Sequence, residues 1–263
     1  MILRKNKNVG HVLFIVEGAK HEFTIIKRIF LNILGYQLIE KRRNKAEYYV
    51  SKINNNNIIA VINTENTCIK SIQDENGYLD QIYEYLLETY EFNLKNAAIY
   101  YLFDRDVRSN TDTQLIRSLL TILKNSRENE DNMLGGVLLL SYPAIEAYDV
   151  SNFVDDTYKL EYQLGKELKR YINENANKIS LNKINEKTVI KASQEMMKYY
   201  MAHCIDLDLD DMGESNIKIY DTQEDYYKNS KKYKVMSLIS LALLDLGILV
   251  DEEFQHEWYS EKM

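Results

Sequence analysis

Three carboxylate side chains of this chain directly follow apolar segments. Glu17 follows residues 12–16, and Asp104 and Asp106 follow residues 99–103. Short segments rich in β-branched and aromatic residues are typical of buried strands in an α/β sheet. Such sheets bind ligands beyond the carboxyl ends of their strands, so we expect the three carboxylates to share one crevice. Carboxylates that lack a cationic partner repel one another, and their oxygens are ligands that Mg²⁺ and Mn²⁺ prefer.

The elements that would position these acids alternate between strands and helices. Apolar segments predict strands at residues 11–16, 36–39, 58–62, 99–103 and 137–140. Helical periodicity predicts helices at residues 20–35, from residue 77 onward, and at about 112–124, the last with Thr111 as its N-cap. The alternation predicts an α/β fold with a mostly parallel sheet, flanked by helices and joined by right-handed crossovers.

The pattern changes near residue 155. Residues 158–175, 188–204 and 231–246 have helical periodicity and no convincing strand pattern. We therefore predict an α/β domain at residues 1–155 and a helical elaboration or small helical domain at residues 156–263. The apolar residues 236–249 fit a core helix or an interface between subunits, and a homo-oligomer is the default expectation.

Composition restricts the class of protein. The 263 residues are 45% hydrophobic and 28% charged, as expected of a globular protein with an adequate core. No apolar run reaches the length of a membrane span, and the first residues lack a signal-peptide core, so we expect a cytoplasmic protein without membrane contact. The two cysteines supply neither a disulfide framework nor a zinc quartet.

A local excess of positive charge lies in the first 50 residues, although the net charge of the chain is −7. In this region ten Lys and Arg residues outnumber four acidic residues, so it is able to attract phosphates. The expected phosphate or nucleic-acid contacts are Lys20 and His21, at the start of the first helix, and the cluster of Lys41, Arg42 and Arg43. The alternative for each of these residues is an ordinary solvated surface position.

The order of the acidic motifs resembles that of the Toprim domain. In that family a Glu ends one strand, here Glu17 followed by Gly18, and an Asp-x-Asp motif ends another, here Asp104-Arg105-Asp106. The finer pattern is similar to the RloB-like and OLD-type abortive-infection branch, in which a second acid follows, here Glu22. A later Pro-x-x-Glu element of that branch corresponds to Pro143-Ala144-Ile145-Glu146. The resemblance covers about residues 9–155.

The resemblance implies a metal-dependent active site in a Toprim-like catalytic domain. By analogy, Asp104 and Asp106 would bind Mg²⁺ or Mn²⁺ directly, and Glu17 would be a further ligand or the general base. Glu22 would add to the metal ligands, and Glu146 would complete a second metal position. A helix acid favoured by the helix dipole is the alternative for both Glu22 and Glu146. Arg105 would point away from its two neighbours if the strand continues, which argues against a catalytic role.

The function implied by the resemblance is cleavage of phosphodiester bonds in DNA or RNA by a Mg²⁺-dependent nuclease. Family members of this kind act as toxic effectors of bacterial anti-phage (abortive-infection) defence. An ATPase or sensor partner would have to be a separate polypeptide, because the sequence contains no P-loop.

Two alternatives stay open. The first is primase-like nucleotidyl transfer, which uses the same metals, and the second is a catalytically idle Toprim scaffold that binds an ATPase sensor. Neither an RNA-binding signature nor a DNA-reading motif is present, so the residue patterns do not separate the two substrates.

Overall fold

The computed structural model describes residues 1–18, 20–42, 46–64, 66–73, 77–128 and 135–251. These residues form twelve strands, of which eight belong to one central sheet. In chain order the strands are β1 (Ile2–Leu3), β2 (His11–Val16), β3 (Tyr36–Arg42), β4 (Ala46–Ser51), β5 (Ile58–Asn63), β6 (Ala98–Asp104), β7 (Lys124–Asn125), β8 (Gly136–Tyr142), β9 (Glu161–Tyr162), β10 (Tyr233–Lys234), β11 (Met236–Ser237) and β12 (Leu249–Val250). Two further pairs, β1 with β12 and β9 with β10, are separate antiparallel ladders.

Eight α-helices lie within the same described ranges. In chain order they are α1 (His21–Lys27), α2 (Tyr78–Tyr90), α3 (Thr113–Ile122), α4 (Glu146–Phe153), α5 (Gly165–Glu174), α6 (Glu186–Ala202), α7 (Met212–Ser230) and α8 (Ile239–Asp245). A π-helical segment, Arg28–Ile33, continues α1 up to the turn at Gly35, whose positive φ of 75° suits glycine.

The central sheet has the strand order β11-β8-β6-β2-β5-β4-β3, and β7 pairs with β8 outside this path. The neighbours β8, β6, β2 and β5 are parallel. Strand β3 runs in the same direction, because two antiparallel pairings separate it from β5. Five of the eight strands therefore share one direction, and the sheet is mixed but mostly parallel. Helices α3, α4, α7 and α8 pack on β8, so the architecture is the predicted α/β class.

The central strands are apolar along their whole length because both faces of the sheet are covered. Residues 12–16 of β2 are buried, and so is every residue of β8. Strands covered on both faces lose the alternation of buried and exposed positions and consist of continuous apolar residues. This property made β2, β5, β6 and β8 predictable from the sequence.

Strand β4 and the start of helix α3 differ from the sequence prediction. Strand β4 was not predicted, because the buried Glu47 interrupts its apolar pattern; Tyr49 OH donates a hydrogen bond to the Glu47 carboxylate. Helix α3 begins at Thr113, and its N-cap is Asp112 rather than Thr111. Asp112 Oδ1 accepts a 2.9 Å hydrogen bond from Leu115 N–H, which satisfies one of the free donors of the first turn.

The second part of the chain is mostly helical, as predicted, but residues 233–237 form β10 and β11 instead of the start of a helix. Helix α7 was not predicted. Strand β11 pairs with β8 in the central sheet, and apolar side chains of α6, α7 and α8 join the main hydrophobic core. That core therefore contains residues from both predicted parts. Across the described ranges, no helix combines the length and the apolar character needed to cross a membrane.

Candidate functional site

Three neighbouring parallel strands, β2, β6 and β8, end at the same edge of the sheet. Glu17 follows β2, and Asp104 is the last residue of β6. Strand β8 leads through Pro143 into helix α4, which begins at Glu146. The strand order therefore brings together three acids that are far apart in the sequence, at the edge where α/β sheets bind ligands.

Two hydrogen bonds connect these strand ends. The backbone N–H of Asp104 donates to Glu17 Oε2 across 2.8 Å. Asp104 Oδ1 in turn accepts a 2.7 Å hydrogen bond from the backbone N–H of Ile145, the residue before Glu146. Asp104 is thus held between the end of β2 and the start of α4, and its half-buried carboxylate has a defined position.

Glu22, in the first turn of α1, folds back over the end of β2. Its Oε1 accepts a 3.2 Å hydrogen bond from Gly18 N–H, and the side chain is buried. A Cβ atom at Gly18 would lie 2.6 Å from Glu22 Oε2. Only glycine at this position therefore lets the Glu22 carboxylate approach the backbone so closely.

Burial and mutual repulsion raise the pKa values of these acids. Burial raises the pKa of Glu17 to about 7; the hydrogen bond from Asp104 N–H opposes this, and the charges of Glu22 and Asp106 add to it. Burial and then the charges of Glu17, Glu22 and Glu146 raise the pKa of Asp104 well above its ordinary value. Burial also raises the pKa of Glu22, with a contribution from Glu146. Carboxyl groups in such a cluster favour either a proton or a neighbouring cation.

Asp106 lies in the turn after β6 rather than on the strand itself. Its Oδ1 accepts a 2.9 Å hydrogen bond from Arg108 N–H, and its charge acts on Glu17. Arg105, between the two aspartates, contacts helix α7, although β6 ends at Asp104 and does not continue through Arg105 as the prediction assumed. Its buried guanidinium forms an ion pair with the half-buried Glu224 of α7.

Lys169 of helix α5 supplies a positive charge that no sequence pattern indicated. Its Nζ lies 3.2 Å from Glu146 Oε1. The charge of Glu146 raises the pKa of Lys169, burial opposes this effect, and the charges of Asp104 and Glu22 add to it. Lys169 therefore faces the acidic cluster. The second oxygen of the buried Glu146, Oε2, has no hydrogen-bond partner among the described residues.

Asp149, one turn after Glu146 on α4, also belongs to the site and was not predicted. Its Oδ2 lies 2.7 Å from His21 Nε2, and its buried Oδ1 has no hydrogen-bond partner within the described ranges. Burial lowers the pKa of His21, but the hydrogen bond and charge of Asp149 outweigh this effect, so the pKa is raised. The signal that was available is the spacing, because residues three apart share one face of a helix.

The predicted basic residues differ in their distance from the acids. His21 contacts the cluster through Asp149, whereas Lys20 is exposed. Lys41 and Arg42 lie in the edge strand β3, and the strand register places Arg42 level with the end of β2. Three strand spacings separate β3 from β2, or ~14 Å. Arg43 lies outside the described residues.

The donor set of the cluster fits a divalent cation such as Mg²⁺ or Mn²⁺. Its five predicted ligands, Glu17, Glu22, Asp104, Asp106 and Glu146, offer only hard carboxylate oxygens, and one buried oxygen of Glu146 is unpartnered in the part of the chain that is described. As they stand, no three His, Cys, Asp or Glu side chains of the described residues converge closely enough to hold a metal ion. Binding of a cation would therefore draw the carboxylates closer together than they are.

Comparisons with known proteins do not place the chain in a family. No protein-family model, no curated protein and no solved structure matches the sequence.

Proposed function

We propose that this chain is a Mg²⁺-dependent nuclease with a Toprim-like catalytic domain, and that it cleaves phosphodiester bonds of DNA or RNA. The observation that carries the proposal is the meeting of Glu17, Asp104 and Glu146 at the ends of three neighbouring parallel strands. The hydrogen bond between Asp104 N–H and Glu17 Oε2 supports it, as do the raised pKa values of both residues, which burial and then the charges of neighbouring acids cause.

The acids divide into two proposed groups of metal ligands. Asp104, Asp106 and Glu17 hold one cation, and Glu22 and Glu146 form a second position. A divalent cation bound there would supply Lewis-acid chemistry at the scissile phosphate and would favour ionisation of the attacking water. If Glu17 is not a ligand of the cation, it would be the general base that accepts the proton of that water, for which its pKa of about 7 in the site without a cation is suited.

The positive groups around the cluster have a separate proposed role in binding the phosphate backbone. Lys169 and His21 lie beside the acids, and Asp149 holds the His21 ring by a 2.7 Å hydrogen bond. Lys20 and the basic cluster Lys41, Arg42 and Arg43 would contact phosphates farther from the cut. Such contacts position a nucleic acid without reading its sequence, so they suit either substrate.

A second candidate is the idle scaffold, in which the acids bind no cation. It is favoured by the Lys169–Glu146 ion pair, which places a positive charge against the acids without a metal, and by the distances between the carboxylates as they stand. In this case the chain would act by binding a partner such as an ATPase sensor. The proposed anti-phage role and the ATPase partner both rest on the Toprim resemblance alone.

One set of assays separates these candidates. The purified protein is incubated with single-stranded DNA, double-stranded DNA and RNA in Mg²⁺, Mn²⁺ or EDTA, and Mn²⁺ binding is measured by calorimetry. The nuclease proposal predicts metal-dependent cleavage that D104N and D106N lower on the order of 100-fold or more. D208N, a matched change in an exposed loop, should cleave like the wild type.

Other outcomes point elsewhere. Extension of a primer or synthesis from nucleoside triphosphates on a template would indicate nucleotidyl transfer. Absence of both Mn²⁺ binding and cleavage would favour the idle scaffold that binds a partner. Equal cleavage by wild type, D104N and D106N would refute the site assignment.

A further inference from the structure

Arg105, the middle residue of the Asp104-Arg105-Asp106 motif, is tied to the helical second part of the chain. It is 2% exposed, and its guanidinium makes a two-pronged ion pair with Glu224 of α7. The Nε–Oε1 distance is 2.7 Å and the Nη2–Oε2 distance is 3.0 Å. A paired fork of this type fixes both the distance and the orientation of the two side chains.

Two tyrosines enclose this ion pair. The Arg105 guanidinium lies 5.8 Å from the ring centre of Tyr220 and 5.6 Å from that of Tyr233. Tyr233 OH also donates a 2.8 Å hydrogen bond to Glu224 Oε1. The Arg105 side of the pair is therefore covered, and each of the three guanidinium nitrogens donates a hydrogen bond, which makes the geometry costly to change.

Asn110 transmits this fixed geometry to the turn that carries Asp106. Arg105 Nη1 donates to the Asn110 carbonyl across 2.9 Å. The Asn110 side chain donates to the Asp104 carbonyl across 2.7 Å, and its backbone N–H donates to the Asp106 carbonyl across 2.9 Å. Residues 104–110 thus form a closed turn, in which Arg105 holds the Asn110 carbonyl and Asn110 holds the Asp104 carbonyl.

We propose that Arg105 and Glu224 are positioning residues that hold Asp104 and Asp106 in place for a divalent cation. Helix α7 is then a structural part of the site, although it lies outside the region that resembles the Toprim domain. The Arg105–Glu224 pair fixes the guanidinium that holds the Asn110 carbonyl, and Asn110 in turn holds the Asp104 carbonyl. The metal-binding part of the inference rests on the proposed function.

The test compares E224Q with D221N. Glu224→Gln removes the charge and one arm of the fork. Asp221→Asn, one turn earlier on the same helix, breaks the exposed ion pair with Arg117 of α3 and leaves residues 104–110 untouched. Hydrogen–deuterium exchange of residues 104–110 should be about tenfold faster in E224Q and unchanged in D221N. Calorimetry with Mn²⁺ should show about tenfold weaker binding in E224Q alone.

A double variant separates positioning from general stability. R105M/E224M replaces the pair with apolar side chains of similar length, a type of exchange that can restore thermal stability. Because a methionine side chain has no donor for the Asn110 carbonyl, the double variant should still bind Mn²⁺ about as weakly as E224Q. Recovery of Mn²⁺ affinity together with the melting temperature would overturn the positioning role.

Different results would contradict the positioning role of Arg105 and Glu224 and the proposed nuclease function. Unchanged exchange at residues 104–110 in E224Q overturns the positioning inference whether or not the protein cleaves nucleic acid. If the wild type binds no Mn²⁺ and cleaves nothing, the proposed function fails. In that case, faster exchange of residues 104–110 in E224Q than in D221N would still show that Glu224 of α7 stabilises this turn.

Discussion

The backbone N–H of Asp104 donates a 2.8 Å hydrogen bond to Glu17 Oε2 across two adjacent strand ends. The bond stabilises the ionised form of Glu17, yet burial and neighbouring charges raise its pKa to about 7. The protein therefore holds this carboxylate in a fixed position in which ionisation is unfavourable without a cation. The pH dependence of stability and the affinity for a cation can both be measured without knowing the substrate.

The first prediction concerns stability against pH. Because Glu17 has an ordinary pKa of 4.5 and a folded-state pKa of about 7, the folded protein binds more protons between these values than the unfolded chain. The free energy of unfolding should therefore fall as the pH rises from about 4.5 through about 7. The contribution of Glu17 alone is on the order of 3 kcal/mol. Urea denaturation at pH 5 and pH 8 in EDTA measures the difference.

Two controls identify the source of this pH dependence. The raised pKa values of Asp104, Glu22 and Asp149 act in the same direction, so E17Q should reduce the slope without removing it. Mg²⁺ added at pH 8 should recover stability, because a cation that binds only the folded protein stabilises it. An identical slope in E17Q and the wild type would show that Glu17 does not carry the effect.

The second prediction concerns D104N. The substituted residue would keep the backbone N–H that donates to Glu17, and its amide oxygen could still accept from Ile145 N–H. The change removes a negative charge from the cluster, so D104N without metal should be at least as stable as the wild type at pH 8. Metal-dependent cleavage should fall on the order of 100-fold or more. Denaturation and cleavage assays on the same preparation check both parts, and a large loss of stability would contradict the first.

The third prediction concerns Gly18. In G18A the new methyl group would lie 2.6 Å from Glu22 Oε2, at the end of a flexible side chain that can rotate away. We therefore expect a loss of less than about 1 kcal/mol of stability, together with weaker Mn²⁺ binding because Glu22 leaves the cluster. Calorimetry on G18A, E22A and the double variant measures whether the effects of the two substitutions on Mn²⁺ affinity are additive. If Gly18 acts only through Glu22, G18A should have no further effect on Mn²⁺ affinity in the E22A background.

The centre of the fold and part of the site were predictable because both depend on local patterns. Strands β2, β6 and β8 are continuous apolar segments, and an acid at the end of a parallel strand must lie at the ligand-binding edge. The placement of Glu17 and Asp104 at strand ends follows from this rule. Strands β2 and β6 are direct neighbours in the sheet. The alternation of predicted strands and helices restricts the possible strand orders but does not determine which strands are neighbours.

The rest of the site depends on contacts between helices that leave no local pattern. Lys169 reaches Glu146 from α5, and Glu224 reaches Arg105 from α7. Helix α7 itself was missed because its buried face is mostly small or polar and lacks an apolar stripe; the buried residues are Met212, Gly213, Ser215, Asn216, Ile219, Tyr220 and Gln223. Polar side chains on this face find partners elsewhere in the chain, as Asn216 does when it donates to the Leu138 carbonyl. Such pairing becomes visible only in three dimensions.

The fourth prediction concerns Lys169. Its Nζ lies 3.2 Å from Glu146 Oε1, and its charge competes with any cation that the acids bind. Since the Lys169 side chain is 64% exposed, solvent screens the pair, and K169M should cost less than about 1 kcal/mol of stability. Removal of the competing charge should tighten Mn²⁺ binding roughly 3- to 10-fold at low salt, with a smaller effect at high salt. K218M breaks an exposed Lys–Glu pair on α7 and is the matched control, for which Mn²⁺ affinity should not change. Weaker Mn²⁺ binding in K169M would instead show that Lys169 holds Glu146 in position for the cation.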